Sequence, residues 1–352
     1  MKQIKTEDAV GQVLGHDMTQ IIKGVTKRAV FKKGHIVQEE DIPVLLSIGK
    51  DHIYVFEKEE GILHENEAAK ILVSLCKSDY MDETDVSEGK IELLANVDGL
   101  LKVNREGLYA VNSFGQMMVA SRHGNTVIQK GDKICGTRII PLVIEEQKMN
   151  DAKEACLDKT EGKPIFEIIP FAHQKVGIVT TGNEVYYGRI EDTFTPVIKD
   201  KIKEFNFDTE LIDHKICEDN DKKVTETIID MIENKGATMV ICTGGMSVDP
   251  DDKTPLAIKN TGANIVSYGS PVLPGAMFLL AYYTKEDGST ATIMGLPGCA
   301  MYNERTVVDL VLPRAMANDV VTPEELASLG EGGLCLACNV CTFPNCGFGK
   351  GH

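Results

Sequence analysis

From residue 173 onward, short apolar segments alternate with segments of helical spacing, and this alternation constrains the fold more than any other feature of the chain. Apolar runs of four to eight residues are typical of buried strands, and apolar residues recurring every three or four positions are typical of helices. Strands that alternate with helices predict an α/β fold with a mostly parallel sheet and helices on both faces. The expected strands are 175–179, 209–216, 239–242, 278–283 and 290–294, the last two as a hairpin, and the expected helices are 196–205, 221–234, 254–260 and 300–314.

The first part of the chain has a different pattern. Residues 1–144 mix short helices and strands, which predicts a separate α+β region. Helices are expected at 38–49, where acidic residues stand at the start and Gly49 at the end, and at 65–78, with a strand at 51–56 between them. Residues 100–103 and 108–111 are expected to pair as a hairpin across a turn at 104–107. A charged helix and linker at 145–172 then leads to the α/β domain at 173–318, and a Cys-rich tail follows at 319–352.

Composition excludes some functions. The net charge of −16 at pH 7 argues against nucleic acid as a partner, because no clustered Lys/Arg face is present to neutralise phosphates. No apolar run reaches the roughly 18 residues that span a bilayer, and the start, MKQIKTEDAV, lacks the apolar segment of a signal peptide. We therefore expect a cytoplasmic protein without a membrane segment. An acidic protein can still bind an anionic ligand through backbone N–H groups and a divalent cation.

Four glycine-rich loops are expected to lie together. Because the carboxyl ends of parallel strands share one edge of a sheet, and ligands bind there, the three loops that follow strands should converge. The fourth loop precedes a hairpin strand, which places it beside the end of its partner strand. Glycine lets backbone N–H groups approach a phosphate or a heterocycle closely, and threonine and serine add hydroxyl donors; tight turns are the alternative explanation for any single loop. The loops are Thr180-Thr181-Gly182-Asn183-Glu184, Thr243-Gly244-Gly245-Met246-Ser247, Leu273-Pro274-Gly275-Ala276 and Gly295-Leu296-Pro297-Gly298.

Acidic residues accompany these loops. The segment after Ser247 contains Asp249, Asp251 and Asp252. A helix cap by Asp252 or Thr254 would explain one carboxylate but not three. Three acids beside a phosphate-binding loop predict an oxygen site for Mg²⁺. Glu184 and Asp219 follow strand ends on the same side and are candidates for the same acidic set, with solvated surface acids as the alternative.

These motifs, taken in order, resemble the molybdopterin-binding domain shared by molybdopterin adenylyltransferases, molybdenum insertases (the MoeA/MogA-like proteins) and gephyrin. The resemblance covers residues 173–318 and includes Asp252-Lys253-Thr254-Pro255. It implies a three-layer α/β/α fold that binds molybdopterin, a pterin dithiolene with a terminal phosphate. The candidate binding residues are Thr181, Gly182, Asn183, Thr243, Gly244, Gly245, Ser247, Lys253, Pro274, Gly275, Pro297 and Gly298, and the candidate catalytic acids are Glu184, Asp249 and Asp252, the last two also as Mg²⁺ ligands.

The resemblance implies one of several reactions. In the adenylyltransferases, ATP and Mg²⁺ convert the phosphate into an AMP anhydride, and in the insertases molybdate enters the dithiolene while AMP leaves. The long N-terminal half is more similar to an insertase, so Mg²⁺-dependent insertion of molybdate is the expected function. The alternatives are adenylyl transfer, a non-catalytic carrier that serves a molybdoenzyme, and nucleotide amide hydrolysis. The grooves of this family often lie between protomers, so the resemblance is compatible with a homo-oligomer but does not determine the oligomeric state.

Three segments differ from the family pattern. The N-terminal half lacks the Met-Asp-Gly-Tyr-Ala segment of insertases, Cys299 stands where Asn is usual, and Val-Asp-Pro-Asp-Asp replaces Val-Gly-Asp after Ser247. These differences bear on the reaction more than on the ligand.

The C-terminal tail contains a separate cysteine motif, Cys335-x-x-Cys338-x-x-Cys341 followed by Cys346. The first three cysteines have the spacing found around [4Fe–4S] clusters, and four cysteines also suit tetrahedral zinc. Disulfides are the third alternative, although a reducing cytosol disfavours them. Because the tail is too short and polar to build a core, we expect its order to depend on the metal.

Overall fold

The computed structural model describes residues 2–22, 26–55, 60–204, 207–247, 249 and 252–351. The chain divides into two compact units. The first comprises residues 1–96, 103–122 and 130–167, and the second comprises residues 97–102, 123–129 and 168–352. Within the described ranges, no helix is long and apolar enough to cross a membrane.

The helices and strands follow one another along both units. The strands are β1 (Lys2–Lys5), β2 (Met18–Ile22), β3 (Thr26–Phe31), β4 (His52–Val55), β5 (Ile62–His64), β6 (Met81–Glu83), β7 (Ile91–Ala95), β8 (Gly99–Val103), β9 (Met117–Ser121), β10 (Thr126–Ile128), β11 (Lys133–Ile139), β12 (Val143–Glu145), β13 (Phe166–Pro170), β14 (Gln174–Thr181), β15 (Thr209–Cys217), β16 (Met239–Thr243), β17 (Asn264–Tyr268), β18 (Leu279–Thr284) and β19 (Thr290–Leu296). The helices are α1 (Asp41–Ser47), α2 (Glu65–Cys76), α3 (Arg105–Ser113), α4 (Glu146–Thr160), α5 (Asn183–Tyr186), α6 (Phe194–Glu204), α7 (Asp221–Ile229), α8 (Thr254–Asn260), α9 (Val307–Met316) and α10 (Pro323–Ser328).

The first unit is a mixed α+β region, as the sequence predicts. Its largest sheet has the strand order β6-β7-β11-β9, and β1 pairs with β4, β2 with β3, and β5 with β12. Helix α2 begins at a capping box in which the His64 ring accepts from the Asn66 N–H, and it buries Ala68, Leu72 and Val73 along one face. A separate apolar cluster near the N-terminus includes Leu14, Leu45 and Ile53.

The expected hairpin at 100–111 is wrong, because residues 105–113 form helix α3. The Asn104 side chain accepts a hydrogen bond from the Gly107 N–H at 2.8 Å, which is the geometry of a helix N-cap rather than of a β-turn. The buried positions Gly107, Ala110 and Val111 recur at intervals of three and four residues. Gly107 packs directly on α4, since a Cβ atom there would lie 2.3 Å from Thr160 Cγ2.

The second unit contains the predicted α/β fold. Its six-stranded sheet has the order β15-β14-β16-β19-β18-β17. The pairs β14/β15, β14/β16 and β16/β19 are parallel, and β18 runs antiparallel to both of its neighbours. Alternate strand residues point to opposite faces: Ile178 and Ile241 join a core with helices α6 and α9, whereas Val179 and Val240 join a core with α7 and α8. The unit is therefore a three-layer α/β/α domain.

Two details of this domain differ from the prediction. The final helix begins at Val307 rather than at residue 300, because Thr306 and Asp309 form a capping box that fixes its first turn. Residues 298–301 form a separate short turn. Strand β17 at the edge of the sheet was not predicted. Residue 205, the expected end of helix α6, lies outside the described residues.

Part of the tail packs on the existing core of the second unit, and the dependence of its order on a metal stays a prediction. The Leu273 N–H donates to the Gly333 carbonyl at 2.8 Å, and the Cys335 N–H donates to the Leu273 carbonyl at 2.8 Å. Phe348 is 5% exposed and belongs to the same apolar cluster as helix α9. The local sequence is polar, but two phenylalanines are enough to attach it to an existing core.

Candidate functional site

A cleft of about 640 Å³ opens at the carboxyl ends of the parallel strands in the second unit. Its wall combines the loop after β16, the loop before β18 and the loop after β19 with one residue from α6, one from the α8 entry and two from the tail. The residues that line it are Phe194, Gly244, Gly245, Met246, Ser247, Asp252, Leu273, Pro274, Gly275, Ala276, Met277, Leu296, Pro297, Gly298, Cys299, Leu334 and Cys335.

Strand register explains why these loops meet. Thr243 at the end of β16 pairs with Leu296 at the end of β19, so both following loops leave the sheet at the same edge. Leu279 at the start of β18 pairs with Gly295, which places the first Leu-Pro-Gly loop beside the second. Three of the four predicted loops therefore form one cleft.

The backbone conformation and the neighbouring Thr181 carbonyl require a glycine at position 244. Its φ is +81°, and a Cβ atom there would lie 2.0 Å from the Thr181 carbonyl oxygen. The Thr181 and Thr254 hydroxyls are 2.9 Å apart, and the Thr254 hydroxyl donates to the Gly244 carbonyl at 2.9 Å. Thr181 is thus a buried support for the loop, and it does not line the cleft. Thr243 is fully buried as well.

The acidic segment is attached to the rim of the cleft. The Asp252 carboxylate accepts the Ser247 N–H at 2.7 Å, and the Ser247 hydroxyl donates to Asp249 Oδ2 at 3.1 Å. The Tyr268 hydroxyl donates to the Met246 carbonyl at 3.1 Å; burial raises the pKa of Tyr268, and the charge of Asp252 adds to this shift. Asp252 lines the cleft, whereas Asp249 is exposed and Asp251 lies outside the described residues.

Helix capping does not explain the Asp252 carboxylate. The residue before α8 is Lys253, whose side chain makes no capping hydrogen bond, and Thr254 is already the first helical residue. The carboxylate instead holds the Ser247 amide, which joins the two ends of the segment.

The first predicted loop lies apart from the cleft wall. Gly182 has a φ of +139°, and Glu184 stands in the short helix α5 with its side chain packed beside Gly182. The Asn183 N–H donates to Asp219 Oδ2 at 2.9 Å, and the Asp219 N–H donates to Asn183 Oδ1 at 3.2 Å. Asn183 and Asp219 therefore connect the loops after β14 and β15, and Gly182, Asn183 and Glu184 are not among the lining residues.

The two Leu-Pro-Gly loops differ in the space around their glycines. A Cβ atom on Gly275, where φ is +135°, would lie 2.6 Å from Val307 Cγ1, whereas a Cβ atom on Gly298 would meet nothing within 4 Å. Gly275 thus packs against helix α9, and Gly298 leaves room in the cleft. Cys299 follows it, half-buried, and burial raises the pKa of its thiol.

A polar cluster close to Phe194 was missed in the sequence. Asp192 Oδ2 accepts hydrogen bonds from the hydroxyls of Thr195 at 2.6 Å and Thr180 at 3.0 Å, and His214 Nε2 lies 3.1 Å away. Asp192 Oδ1 accepts the Phe194 N–H at 2.9 Å, so Asp192 also caps helix α6. An aspartate just before a helical pattern is a capping signal that could have predicted this residue.

The four tail cysteines line a second cavity of about 400 Å³. None of the ten cysteines is in a disulfide. Among the described residues, no three His, Cys, Asp or Glu side chains are grouped tightly enough to hold one metal ion. Pro274, Leu334 and Cys335 line both cavities, so the two share a wall.

Comparison with protein families agrees with this geometry. Residues 177–317, less than half of the chain, match the family model described as a probable molybdopterin binding domain. This segment is similar to the molybdopterin-binding domains that the family model describes. Residues 3–57 match a second family model, described as a domain of unknown function.

Three solved structures illustrate the weak similarity of this chain to known proteins. The molybdopterin biosynthesis enzyme MoaB of Thermus thermophilus is 17% identical, with a TM-score of 0.33, over 42% of this chain and 96% of that one. The tungsten cofactor synthesizing protein MoaB of Pyrococcus furiosus is 17% identical, with a TM-score of 0.34, over 42% of this chain and 97% of that one. A molybdenum cofactor biosynthesis protein from Pyrococcus furiosus is 13% identical, with a TM-score of 0.24, over 91% of this chain and 65% of that one. No curated protein matches the sequence.

Proposed function

We propose that the cleft of the second unit binds adenylated molybdopterin and that the protein inserts molybdate into it with release of AMP. The observation that carries the proposal is the cleft itself, where Gly244, Gly245 and Gly298 leave backbone accessible beside the Asp252 carboxylate. A cleft of about 640 Å³ is within the range of small-molecule sites.

The Gly244–Ser247 side of the cleft suits the phosphate end of the ligand. Gly244 and Gly245 have φ values of +81° and +53°. Consecutive residues in such turn conformations direct backbone N–H groups towards a common point, which is a frequent way of binding phosphate oxygens. The wall formed by Met246, Leu296 and Pro297 is apolar and suits the flat face of a pterin.

Mg²⁺ is the cation whose preferred ligands match the acidic rim. The oxygens of Ser247, Asp249 and Asp252 are hard donors of the type that Mg²⁺ takes alongside substrate phosphates. When bound, the cation would neutralise charge on the phosphoryl oxygens of the anhydride. Asp252 keeps its loop closed through the Ser247 amide and contributes negative charge towards the cleft. Glu184 is proposed only as a more distant acid, because it does not line the cleft.

The test is AMP release. Purified protein receives adenylated molybdopterin, Mg²⁺ and molybdate, and AMP is measured over time. We expect Asp252→Asn to release AMP at least tenfold more slowly, because the amide oxygen can still accept the Ser247 N–H while the charge is lost. Glu286→Gln is the matched control, since this exposed residue lies in the turn at the opposite end of β19. AMP release that is equal in both variants would contradict the assignment of Asp252.

Other outcomes separate the competing functions. ATP consumption with free molybdopterin would indicate adenylyl transfer and contradict insertion. Tight binding without either reaction would indicate a carrier. The proposed binding of adenylated molybdopterin is tested by Gly298→Asp. This change places a carboxylate in the cleft beside the ligand without a steric clash with the protein. Gly244 is unsuitable for this purpose, because any side chain there meets the Thr181 carbonyl and disturbs the fold.

A further inference from the structure

The tail cysteines have no role in the proposed function, but the structure places them together. Cys335, Cys338, Cys341 and Cys346 all line the cavity of about 400 Å³, although up to ten residues separate them in sequence. The first of these cysteines is held by the backbone bond from its N–H to the Leu273 carbonyl, and Phe348 anchors the segment just after the last. The protein core therefore holds both ends of the motif in place.

The same cavity is lined by a buried cation. Arg305 is 9% exposed and lines the same cavity. Its Nη1 donates to Glu204 at 2.8 Å and to Asp309 at 3.1 Å, and its guanidinium carbon lies 4.9 Å from the centre of the Phe343 ring. The Cys341 side chain is also within hydrogen-bonding reach of the guanidinium. Arg305 is thus fixed in position against the cysteine loop.

One donor of this arginine is unsatisfied. Arg305 Nε is buried and has no hydrogen-bond partner among the described residues. A buried N–H without an acceptor costs about 1–3 kcal/mol, so this nitrogen is a strained feature beside the cysteine loop. Four sulfurs line this cavity together with the side-chain oxygens of Tyr302, Asn303, Glu304 and Thr342, and hydrogen bonds from N–H groups to sulfur are typical of iron–sulfur sites.

We propose that the tail cavity holds a [4Fe–4S] cluster ligated by Cys335, Cys338, Cys341 and Cys346, with the Arg305 guanidinium beside it. A single zinc ion draws four sulfurs to about 2.3 Å from one point and leaves no cavity, whereas a cluster occupies the space between its ligands. The C-x-x-C-x-x-C spacing is that of cluster-binding segments. Phe343 and the buried Phe348 line the same cavity and would shield part of the cluster from water.

This proposal is independent of the proposed function, because it is tested without molybdopterin. The full chain is purified anaerobically, or reconstituted with ferrous iron, sulfide and a thiol reductant, and iron, sulfide and zinc are measured. We expect about four irons and four sulfides per chain and a broad absorption band near 400 nm that bleaches on reduction with dithionite.

Matched variants locate the site. Changing Cys338→Ser or Cys341→Ser should lower bound iron at least twofold and weaken the absorption band. Cys217→Ser is the control and should leave the iron content unchanged, because Thr227 Oγ1 lies 3.5 Å from this thiol and can pair with a serine hydroxyl. Circular dichroism of each variant shows that it is folded. One zinc per chain without iron would overturn the cluster, and so would a metal-free protein with four reactive tail thiols after anaerobic purification.

Discussion

The two Leu-Pro-Gly loops allow a stringent test of the structure, because their local sequences are identical but their surroundings are not. In Gly275→Ala, the new methyl group would lie 2.6 Å from Val307 Cγ1, 2.8 Å from Val307 Cβ and 3.0 Å from the Val307 backbone N. Val307 is fully buried at the start of α9 and cannot move without the helix. Overpacking of this kind costs about 1–3 kcal/mol, and a positive φ for a residue with a Cβ atom adds a strain of order 1–3 kcal/mol.

We therefore expect Gly275→Ala to lose about 2–6 kcal/mol, which lowers the melting temperature of a unit of this size by about 5–20 °C. Gly298→Ala is the matched control and should change stability by less than about 0.5 kcal/mol, because its Cβ meets no atom within 4 Å. The chain has no tryptophan, so unfolding is followed by far-UV circular dichroism rather than by intrinsic tryptophan fluorescence. Equal melting temperatures for the two variants would refute the packing described for α9 and the first loop.

A double variant identifies the atom responsible. Val307→Ala removes Cγ1, the nearest atom, while Cβ at 2.8 Å remains. Combined with Gly275→Ala, it should destabilise the protein by less than the sum of the two single changes, since residues in contact are not additive. Strict additivity would show that strain at Gly275 comes from its backbone alone.

Three further changes test other parts of the chain. Asp192→Asn should weaken the dependence of the free energy of unfolding on pH in the acid range. Burial raises the pKa of Asp192, but hydrogen bonds from Thr195 and other donors outweigh burial and lower the pKa. The stabilisation by Asp192 is therefore present above about pH 4 and is lost as pH falls through the lowered pKa. Urea titrations from neutral to acid pH measure this free energy, and an unchanged pH dependence in the variant would contradict the role of Asp192. Lys201→Met should cost about 3 kcal/mol, because it leaves the Asp309 carboxylate, only 1% exposed, without its nearest ammonium group; adding Asp309→Asn should recover part of the loss in a urea titration. Asn104→Ala should cost about 1 kcal/mol by removing the cap of α3, and Asn104→Asp should not; equal melting curves would count against the helix.

Much of the second unit can be predicted from sequence, because strand and helix periodicities act locally. Apolar runs at β14 and β16 and the helical spacing of α6 and α7 each determine an element without reference to distant residues. Parallel pairing follows from the helical connections, and the convergence of loops at one edge follows from parallel pairing. The cleft could therefore be predicted, with Gly244, Gly245, Ser247, Asp252, Gly275 and Gly298 among its residues.

Local sequence patterns therefore suffice to predict the alternation of strands and helices that brings the glycine-rich loops together, whereas the role of each residue in those loops depends on tertiary packing. The shared Leu-Pro-Gly sequence does not distinguish Gly275 from Gly298. The space around the two glycines differs because Val307, more than thirty residues from Gly275, packs against the first loop. Thr181 supports Gly244 from below only because β14 and β16 are neighbours. The buried Arg305 beside the cysteine loop is another such case: its place depends on Glu204 and Asp309, and long-range contacts of this kind leave no periodicity in the chain.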